Sequence, residues 1–369
     1  MFVHTRARTA NTALLALVLA SAAVNGQNFE PGPADTRVAA TPAGGGEGNL
    51  QKELRLGGDY LAGRGVSRDP AQAAYWYRKA ADQGDPGAQN EIGFFYSIGF
   101  GVREDQAEAV KWYERAMAGG CAEAKLNLAV AYLKGTGIRQ DGRLGIDLLQ
   151  QLVKKNDPVA EDYLGLVYYL GVGTGSDKVM AEKLFARAAK QHNPPAEYDM
   201  GVLYLGGEGH VTDLPKAAAL LRSSAKEGYV PAMHALGLLL VNHPELAESD
   251  DSAHTWLDKA ADAGSWRAAV ILGIVSRDGK YGPRDTATAC LWFSIAAKVG
   301  GDPAAKLLHT DLANCRKAMD RATLDAESQQ VEAWLAAHPH RDLYVLGNRL
   351  LAGNYPAVEV PVLDLTEAN

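Results

Sequence analysis

Several short motifs in the sequence contain residue types that can support chemistry. Residues 171–175 read GVGTG, but they follow an apolar helical run, whereas a phosphate-binding loop needs a preceding strand. His338 and His340 flank a proline, and two histidines without a third ligand are weak evidence for a metal site. Asp250 and Asp251 belong to a charged run, which is usually a solvated face. We therefore predict no catalytic, cofactor-binding or metal-binding residue.

The three cysteines are Cys121, Cys290 and Cys315, and in an exported protein an odd count indicates one pair plus one free thiol. In the helical register described below, Cys290 lies early in the second helix of one repeat and Cys315 late in the following first helix. These two helices should be antiparallel neighbours, which places both cysteines at the same end. The sequence therefore predicts a Cys290–Cys315 disulfide and a free Cys121 that serves as a small packing residue.

Aromatic residues recur along the chain and are favoured anchors of protein interfaces when they are exposed in a groove. The tyrosines at the ninth position of the repeat are predicted to be core residues: Tyr60, Tyr96, Tyr132, Tyr168 and Tyr204. Tyr75 and Tyr169 fall at positions that the repeat fixes less strictly. We select these two residues as candidate partner-binding positions.

These residues are positioned by a repeat of 36 residues that runs without a gap from 52 to 303. Seven full units are present, and their fifth position is always Leu, Ile or Met. The units start at Lys52, Ala88, Ala124, Ala160, Ala196, Ala232 and Ala268. Because one unit cannot bury its apolar face alone, the pattern predicts stacked neighbours.

The second unit shows why each unit should be a helix, a turn and a second helix. Ile92 and Tyr96 are four residues apart and share one helix face, and Gly93 permits close helix packing. A glycine-rich turn follows at residues 99–102, since glycine adopts positive φ at little cost. Asp105, like Asp69 and Asp141 in the neighbouring units, is predicted to cap the second helix.

The recurring pattern resembles the Sel-one-like repeat family, a relative of the tetratricopeptide repeats, over about residues 52–337. The motif residues of the first unit are Leu56, Gly57, Tyr60, GRGV at 63–66, Ala73, Trp76, Ala80, Ala81 and Gly84. The resemblance implies an all-α fold, a right-handed α-solenoid of stacked helix–turn–helix repeats. It also implies a scaffold or adaptor role, often in bacterial envelopes or secretory routes.

Some units depart from the pattern. The third and fourth lack the tryptophan and the closing glycine, and have Leu148 with Asn156 and Leu184 with His192 instead. In the sixth unit, residues 241–251 (VNHPELAESDD) replace the turn glycines with an acidic loop. This loop either has a local binding role or is a variable surface loop.

The two ends of the chain lie outside the repeats. Residues 1–26 have a positive start and a short apolar run, which predicts a cleaved signal peptide and a periplasmic or secreted protein. Residues 27–49, rich in Gly, Pro and Ala, are predicted to be a flexible linker. Residues 304–337 are predicted to form two capping helices, the second starting near Thr323. The off-register tail, 338–369, is either an extended segment lying along the solenoid or disordered.

Charge and hydropathy limit the function classes. The formal net charge is −7 and becomes −9 when the signal peptide is removed, which argues against nonspecific nucleic-acid binding. No later stretch is apolar enough to span a membrane. We predict a non-catalytic scaffold without a cofactor that binds a protein or peptide partner in the cell envelope. The alternatives are an envelope-active, β-lactamase-like hydrolase or a module that binds glycan or peptidoglycan.

Overall fold

A computed structural model describes residues 48–206, 212–249, 251–280 and 282–338 of the protein. The predicted signal peptide, most of the predicted linker and all but the first residue of the predicted tail lie outside the described residues. Within the described ranges, no helix combines the length and the apolar character needed to cross a membrane.

The described residues form sixteen α-helices and one short 3-10 helix, and they contain no strand. The first half contains α1 (Asn49–Ala62), α2 (Pro70–Asp82), α3 (Pro86–Ile98), α4 (Gln106–Ala118), α5 (Ala122–Lys134), α6 (Gly142–Val153) and α7 (Pro158–Leu170). The second half contains α8 (Lys178–Ala189), α9 (Pro194–Tyr204), α10 (Leu214–Lys226), α11 (Val230–Asn242), α12 (Ala253–Asp262), α13 (Trp266–Asp278), α14 (Thr286–Leu307), α15 (His309–Ala318) and α16 (Arg321–Ala337). The 3-10 helix, Pro244–Leu246, lies between α11 and α12.

The chain divides into two compact units, the first ending at Asp177 and the second beginning at Lys178. In the first unit, α1 to α6 each pack against the next helix along the chain, and the same is true of α8 to α14 in the second unit. The final helix, α16, packs against α14. The predicted fold class is confirmed, because the helices follow one another as pairs with a period of about 36 residues, as in an α-solenoid.

The fifth repeat position supplies the core of each first helix, as the sequence predicts. Every side chain at this position is buried: Leu56, Ile92, Leu128, Leu164, Met200, Leu236, Leu272 and Leu308. The alanines that start the second to seventh repeats are also buried. Apolar burial of this kind is the main favourable contribution to folding.

The glycine at the sixth position lets the two helices of one repeat approach closely. A Cβ atom on Gly93 would lie 2.9 Å from the ring of Tyr113, which packs from α4 onto α3. The third repeat has Ala129 at this position, and the glycine is instead on the partner helix, where a Cβ on Gly145 would lie 2.8 Å from the Ala129 carbonyl oxygen. Close packing of the two helices therefore requires a missing side chain on one of them.

The turn glycine Gly101 attaches the second repeat to the first. Its φ is 68°, in the left-handed region, and a Cβ there would lie 2.0 Å from the Pro70 carbonyl oxygen of the preceding repeat. Asn156 and His192, which replace the closing glycine in the third and fourth repeats, keep positive φ values of 58° and 56°. The backbone path is thus retained where the glycine is lost.

The predicted aspartate caps of the second helices are confirmed. The side chains of Asp69 and Asp105 each accept a hydrogen bond from a first-turn amide at 2.9 Å, and that of Asp141 accepts one at 3.0 Å. Each carboxylate satisfies a backbone donor that the helix itself cannot pair.

The C-terminal cap differs from its prediction in two details. The first predicted cap helix is split, because α14 continues through a kink at Gly301 (φ 62°, ψ −148°) to Leu307 and α15 begins at His309. The second cap helix, predicted to start near Thr323, begins slightly earlier, at Arg321, and is capped by Asp320, whose carboxylate accepts the Thr323 amide at 2.8 Å. An aspartate one residue before the helix satisfies the free amides better than a threonine inside it.

Candidate interaction surface

Tyr75 is one of the two predicted partner-binding residues. Its side chain is exposed, with a relative accessibility of 49% for the residue. Its ring meets the edge of the Trp76 ring, with centroids 5.1 Å apart. The Lys79 ammonium lies 5.1 Å from the Tyr75 ring centroid and 5.3 Å from that of Trp76. A hydrogen bond with Tyr75 raises the pKa of Lys79. We call Tyr75, Trp76 and Lys79 the Tyr75 cluster.

The second repeat has a related arrangement in which the tryptophan ring is buried. Trp112, at the same repeat position as Trp76, is 1% exposed, and the guanidinium groups of Arg78 and Arg115 lie 4.7 and 4.6 Å from its ring centroid. Arg78 also donates to the Tyr96 hydroxyl at 3.2 Å. A cation thus follows each of these tryptophans by three residues, and only in the first repeat is an exposed aromatic ring added.

The ninth-position tyrosines are not core residues, and this prediction is wrong. All five are half-buried: Tyr60, Tyr96, Tyr132, Tyr168 and Tyr204. The Tyr96 hydroxyl accepts from Arg78, and the Tyr204 hydroxyl accepts from the Lys216 ammonium at 2.6 Å. A tyrosine has an apolar ring but a hydroxyl that needs a polar partner, which favours the edge of the core over its centre.

Tyr169, the other predicted partner-binding residue, is half-buried near the end of α7. Its carbonyl oxygen accepts a hydrogen bond from the Ser176 hydroxyl at 2.9 Å. Tyr75 and Tyr169 lie on helices of the first and fourth repeats, with four helices between them in the chain. The structure does not bring these two residues together in one cluster.

Polar groups on the first helices of the first unit were missed by the sequence analysis. The Asn127 amide donates to Asn90 Oδ1 at 2.9 Å, which links α5 to α3. Asp162 in α7 is buried, its Oδ1 has no hydrogen-bond partner among the described residues, and burial raises its pKa to about 8. Burial, together with the Glu123 carboxylate, also raises the pKa of Glu91. These residues occupy the third and fourth positions of the repeat, in helices that are otherwise apolar. That pattern in the sequence could have indicated buried polar groups.

The acidic loop of the sixth repeat is attached by a buried ion pair. Arg222, on the second helix of the preceding repeat, donates to Asp251 Oδ2 and, at 2.9 Å, to the Leu246 carbonyl oxygen. A third contact places its guanidinium 3.2 Å from Glu248 Oε1. The Trp256 indole donates to the same Asp251 oxygen at 3.2 Å. The carboxylates of the loop therefore hold it to Arg222 of the preceding repeat.

The interpretation of Asp250 and Asp251 as a solvated charge run is wrong for Asp251, which is buried, while Asp250 lies outside the described residues. Burial acts to raise the pKa of Asp251, but hydrogen bonds from Arg222, the Glu248 amide and Trp256 outweigh it and lower this pKa. Asp251 is thus ionised and paired in the folded protein.

The remaining candidate motifs, the glycine-rich segment and the histidine pair, contain residues with structural contacts. Gly171 ends α7 as a left-handed cap, as turn glycines do in other repeats. The His338 ring stacks on Trp334 at 4.2 Å, and its Nε2 lies 3.2 Å from Asp262 Oδ1, whereas His340 is outside the described residues. In the part of the chain that the structure describes, no three potential metal ligands cluster together.

The cysteines are arranged as one pair and one thiol. Cys290 in α14 and Cys315 in α15 form a disulfide, with their Cα atoms 5.7 Å apart. Cys121 is a free thiol at the start of α5, and its Sγ donates to Glu123 Oε2 at 3.2 Å. The disulfide therefore joins the last full repeat to the cap.

Comparison with protein-family models gives seven consecutive matches to the Sel1 repeat. These matches cover residues 53–85, 86–121, 122–157, 158–193, 194–229, 230–265 and 266–301. The chain belongs to the Sel1 repeat family. Sel1 repeat proteins are generally protein-interaction scaffolds, and the family is typically non-catalytic.

Several solved structures are similar to this Sel1 repeat protein. A Sel1 repeat protein from Oxalobacter formigenes is 27% identical, with a TM-score of 0.56, over 68% of this chain and 99% of that one. A protective antigen of uropathogenic Escherichia coli with an SLR fold is 23% identical (TM-score 0.41, 82% and 71% covered). An immunity protein from Pseudomonas aeruginosa is 18% identical (TM-score 0.42, 70% and 84% covered). A search of the curated proteins found no match.

Proposed function

We propose that this Sel1 repeat protein is a non-catalytic scaffold or adaptor that binds a protein or peptide partner in the periplasm or cell envelope. The observation that carries the proposal is the Tyr75 cluster, in which an exposed tyrosine ring adjoins Trp76 and the Lys79 ammonium. Exposed aromatic side chains are enriched among residues that dominate binding energy.

The chemistry of the cluster supports a particular kind of partner segment. The ring of Tyr75 offers an apolar contact, and Lys79 offers a cation beside it. A segment with an apolar side chain next to a carboxylate would satisfy both groups.

The proposed location rests on the first 26 residues of the sequence. Arg6 and Arg8 precede a short apolar run that ends in small residues, as in a cleaved signal peptide. N-terminal sequencing of the protein from a periplasmic fraction should give a chain that begins after residue 20. Recovery of a chain that still begins at Met1, in the cytoplasmic fraction, would contradict this location.

The binding proposal is tested by a photocrosslinking amino acid placed at Tyr75 of the exported protein. The matched control places it at Lys111, which occupies the same position in the second repeat and is also exposed. We expect one stoichiometric envelope protein to crosslink through position 75, with at least tenfold less through position 111. Equal or absent crosslinking at both positions, in protein with an unchanged circular dichroism spectrum, would contradict the proposal.

The edge-on Tyr75–Trp76 pair also favours a second candidate function, the binding of a glycan or peptidoglycan fragment. Calorimetric titration with soluble peptidoglycan fragments separates the two candidates. Binding of a fragment that is lost in Tyr75→Ala would support the glycan, whereas no heat together with a crosslinked protein would support the scaffold. A β-lactam hydrolysis assay tests the enzymatic alternative, for which we expect no turnover.

A further inference from the structure

The first helix of the cap, α15, is attached to the protein through few side chains. Among its ten residues, His309–Ala318, only Cys315 is buried. By contrast α13, the first helix of the preceding repeat, buries six residues, including Leu272 and Val275. A helix with so little buried apolar surface depends on other contacts for its position.

The noncovalent contacts of α15 lie mostly at the surface. The Arg277 guanidinium is 2.9 Å from Asp311 Oδ1, and both side chains are substantially exposed. Leu312 is only partly buried, whereas Leu308, just before the helix, is fully buried. Because exposed ion pairs contribute little, the disulfide at Cys315 is the main attachment of α15.

The other half of the disulfide belongs to the core of the last full repeat. Cys290 is 1% exposed and lies in α14 with Ala289 and Phe293, which are also buried. Cys315 is more accessible, at 8%. The bond therefore joins a fixed core position to a helix that has almost no core of its own.

We propose that the Cys290–Cys315 disulfide is a redox latch that holds α15 on the last repeat and releases it when a dithiol reduces the bond. Release would uncover the surface of α14 on which α15 packs. The second cap helix, α16, keeps its own contact with α14 through Trp334 and Trp292. The latch is independent of the proposed partner binding.

The exchange chemistry balances with one dithiol. A thiolate of the reductant attacks Sγ of Cys315, which is the more exposed residue of the pair, and the Cys290 sulfur leaves as a thiolate that takes up a proton. The second thiol of the reductant then attacks the mixed disulfide, closes its own disulfide and releases the Cys315 thiolate, which is protonated. Two electrons pass from the dithiol to the protein.

Limited trypsin digestion of the full-length protein, with and without excess dithiothreitol, tests the latch. Arg316 and Lys317 are exposed cleavage sites within α15. We expect cleavage there to become about tenfold faster or more after reduction, because proteolysis follows the population of the open form. The double variant Cys290→Ser/Cys315→Ser should be cut equally fast without reductant. Cys121→Ser, the matched control, should respond to reductant as the unchanged protein does.

Three outcomes would overturn the latch. Equal cleavage rates at Arg316 and Lys317 in the oxidised and reduced protein would show that α15 stays in place without the bond. Equally accelerated cleavage at Lys111 and Arg115, in the first unit, would show general unfolding instead of local release. Binding of the dye 1-anilinonaphthalene-8-sulfonate should increase on reduction, and an unchanged fluorescence would contradict exposure of this surface of α14.

Discussion

The second and sixth repeats attach to their preceding repeats in chemically opposite ways. In the second repeat, Gly101 has no side chain, and its backbone approaches the Pro70 carbonyl of the first repeat. In the sixth, the glycine turn is gone, and the loop is held through Arg222 of the fifth repeat and its own Asp251. One joint depends on a missing side chain, and the other on two buried charges.

This difference shows that the repeat architecture does not require one turn chemistry. It requires that each turn contact the preceding repeat and leave no buried group unpaired. A glycine joint meets that condition with backbone atoms alone, whereas the charged joint meets it only while both partners are present. The two joints should therefore respond differently to substitution.

The largest effect should come from breaking the charged joint. Arg222→Ala leaves the buried Asp251 carboxylate without its cation, and removing one partner of a buried pair costs about 3–5 kcal/mol of unfolding free energy. Urea denaturation followed by tryptophan fluorescence measures the loss. The matched control is Arg78→Ala, at the same repeat position but half-buried, which should cost about 1 kcal/mol or less. Equal losses in the two variants would contradict the role of the buried pair.

The next effect should come from filling the glycine joint. Gly101→Ala combines an alanine at positive φ, about 1–2 kcal/mol, with a clash against the Pro70 carbonyl that adds about 1–3 kcal/mol. Gly65→Ala is the control, because Gly65 has φ 72° but no heavy atom within 4 Å of the position that a Cβ would occupy. Thermal denaturation should give a larger decrease in Tm for Gly101→Ala than for Gly65→Ala. An equal decrease would show that the close approach of Gly101 to the Pro70 carbonyl does not contribute to stability.

A buried carboxyl group without the pairing of Asp251 should show an opposite pH response. The folded-state pKa of Asp162 is about 8, far above its usual value of about 3.9, so the folded protein favours the protonated form. Wild-type stability should therefore fall as pH rises from about 4 to 8. Asp162→Asn removes this dependence and should be more stable by roughly 1–3 kcal/mol at pH 8, with little gain below pH 4. Urea titrations at pH 4, 6 and 8 measure the difference in unfolding free energy between the two proteins. A difference that does not depend on pH would contradict a raised pKa for Asp162.

The smallest effect should come from removing a helix cap, and it should be the same in the second and sixth repeats. Asp105 caps the second helix of the second repeat, and Ser252 caps that of the sixth, with amide hydrogen bonds of 2.9 and 3.1 Å. Alanine at either position should cost about 1 kcal/mol. Matching decreases in urea midpoint would show that the joints, and not the caps, distinguish these repeats. A loss at Ser252 as large as that of Arg222→Ala would shift the explanation to the cap.

Sequence reasoning succeeded where a position makes the same contact in every repeat. Ile92 and its equivalents are buried in each copy, and Asp105 caps its helix as its place before an amphipathic run indicates. Sequence reasoning failed where one side chain has both an apolar and a polar part. The ring of Tyr96 packs, while its hydroxyl accepts a hydrogen bond from Arg78. It also failed at Asp251, because its partner Arg222 lies 29 residues away along the chain.

The candidate surface was predictable only in part. Tyr75 could be selected because its position is not fixed by the repeat, but the sequence could not show that Lys79 lies over its ring. Tyr169 was selected by the same argument, yet it is half-buried and lies on a helix three repeats away. Repeat position indicates which side chains are free of core packing, and exposure depends on neighbours from other helices.

The sequence by itself determined the helical repeats, their period and the small residues that permit close packing, because these follow from local periodicity and from backbone sterics. Tertiary structure alone decided which charges are buried and paired. Asp251 and Asp162 are both aspartates in the repeats, yet the pKa of one is lowered by a guanidinium and the pKa of the other is raised by burial. Electrostatic energy depends on distance and on exclusion of water, and both are set by residues far apart in the chain.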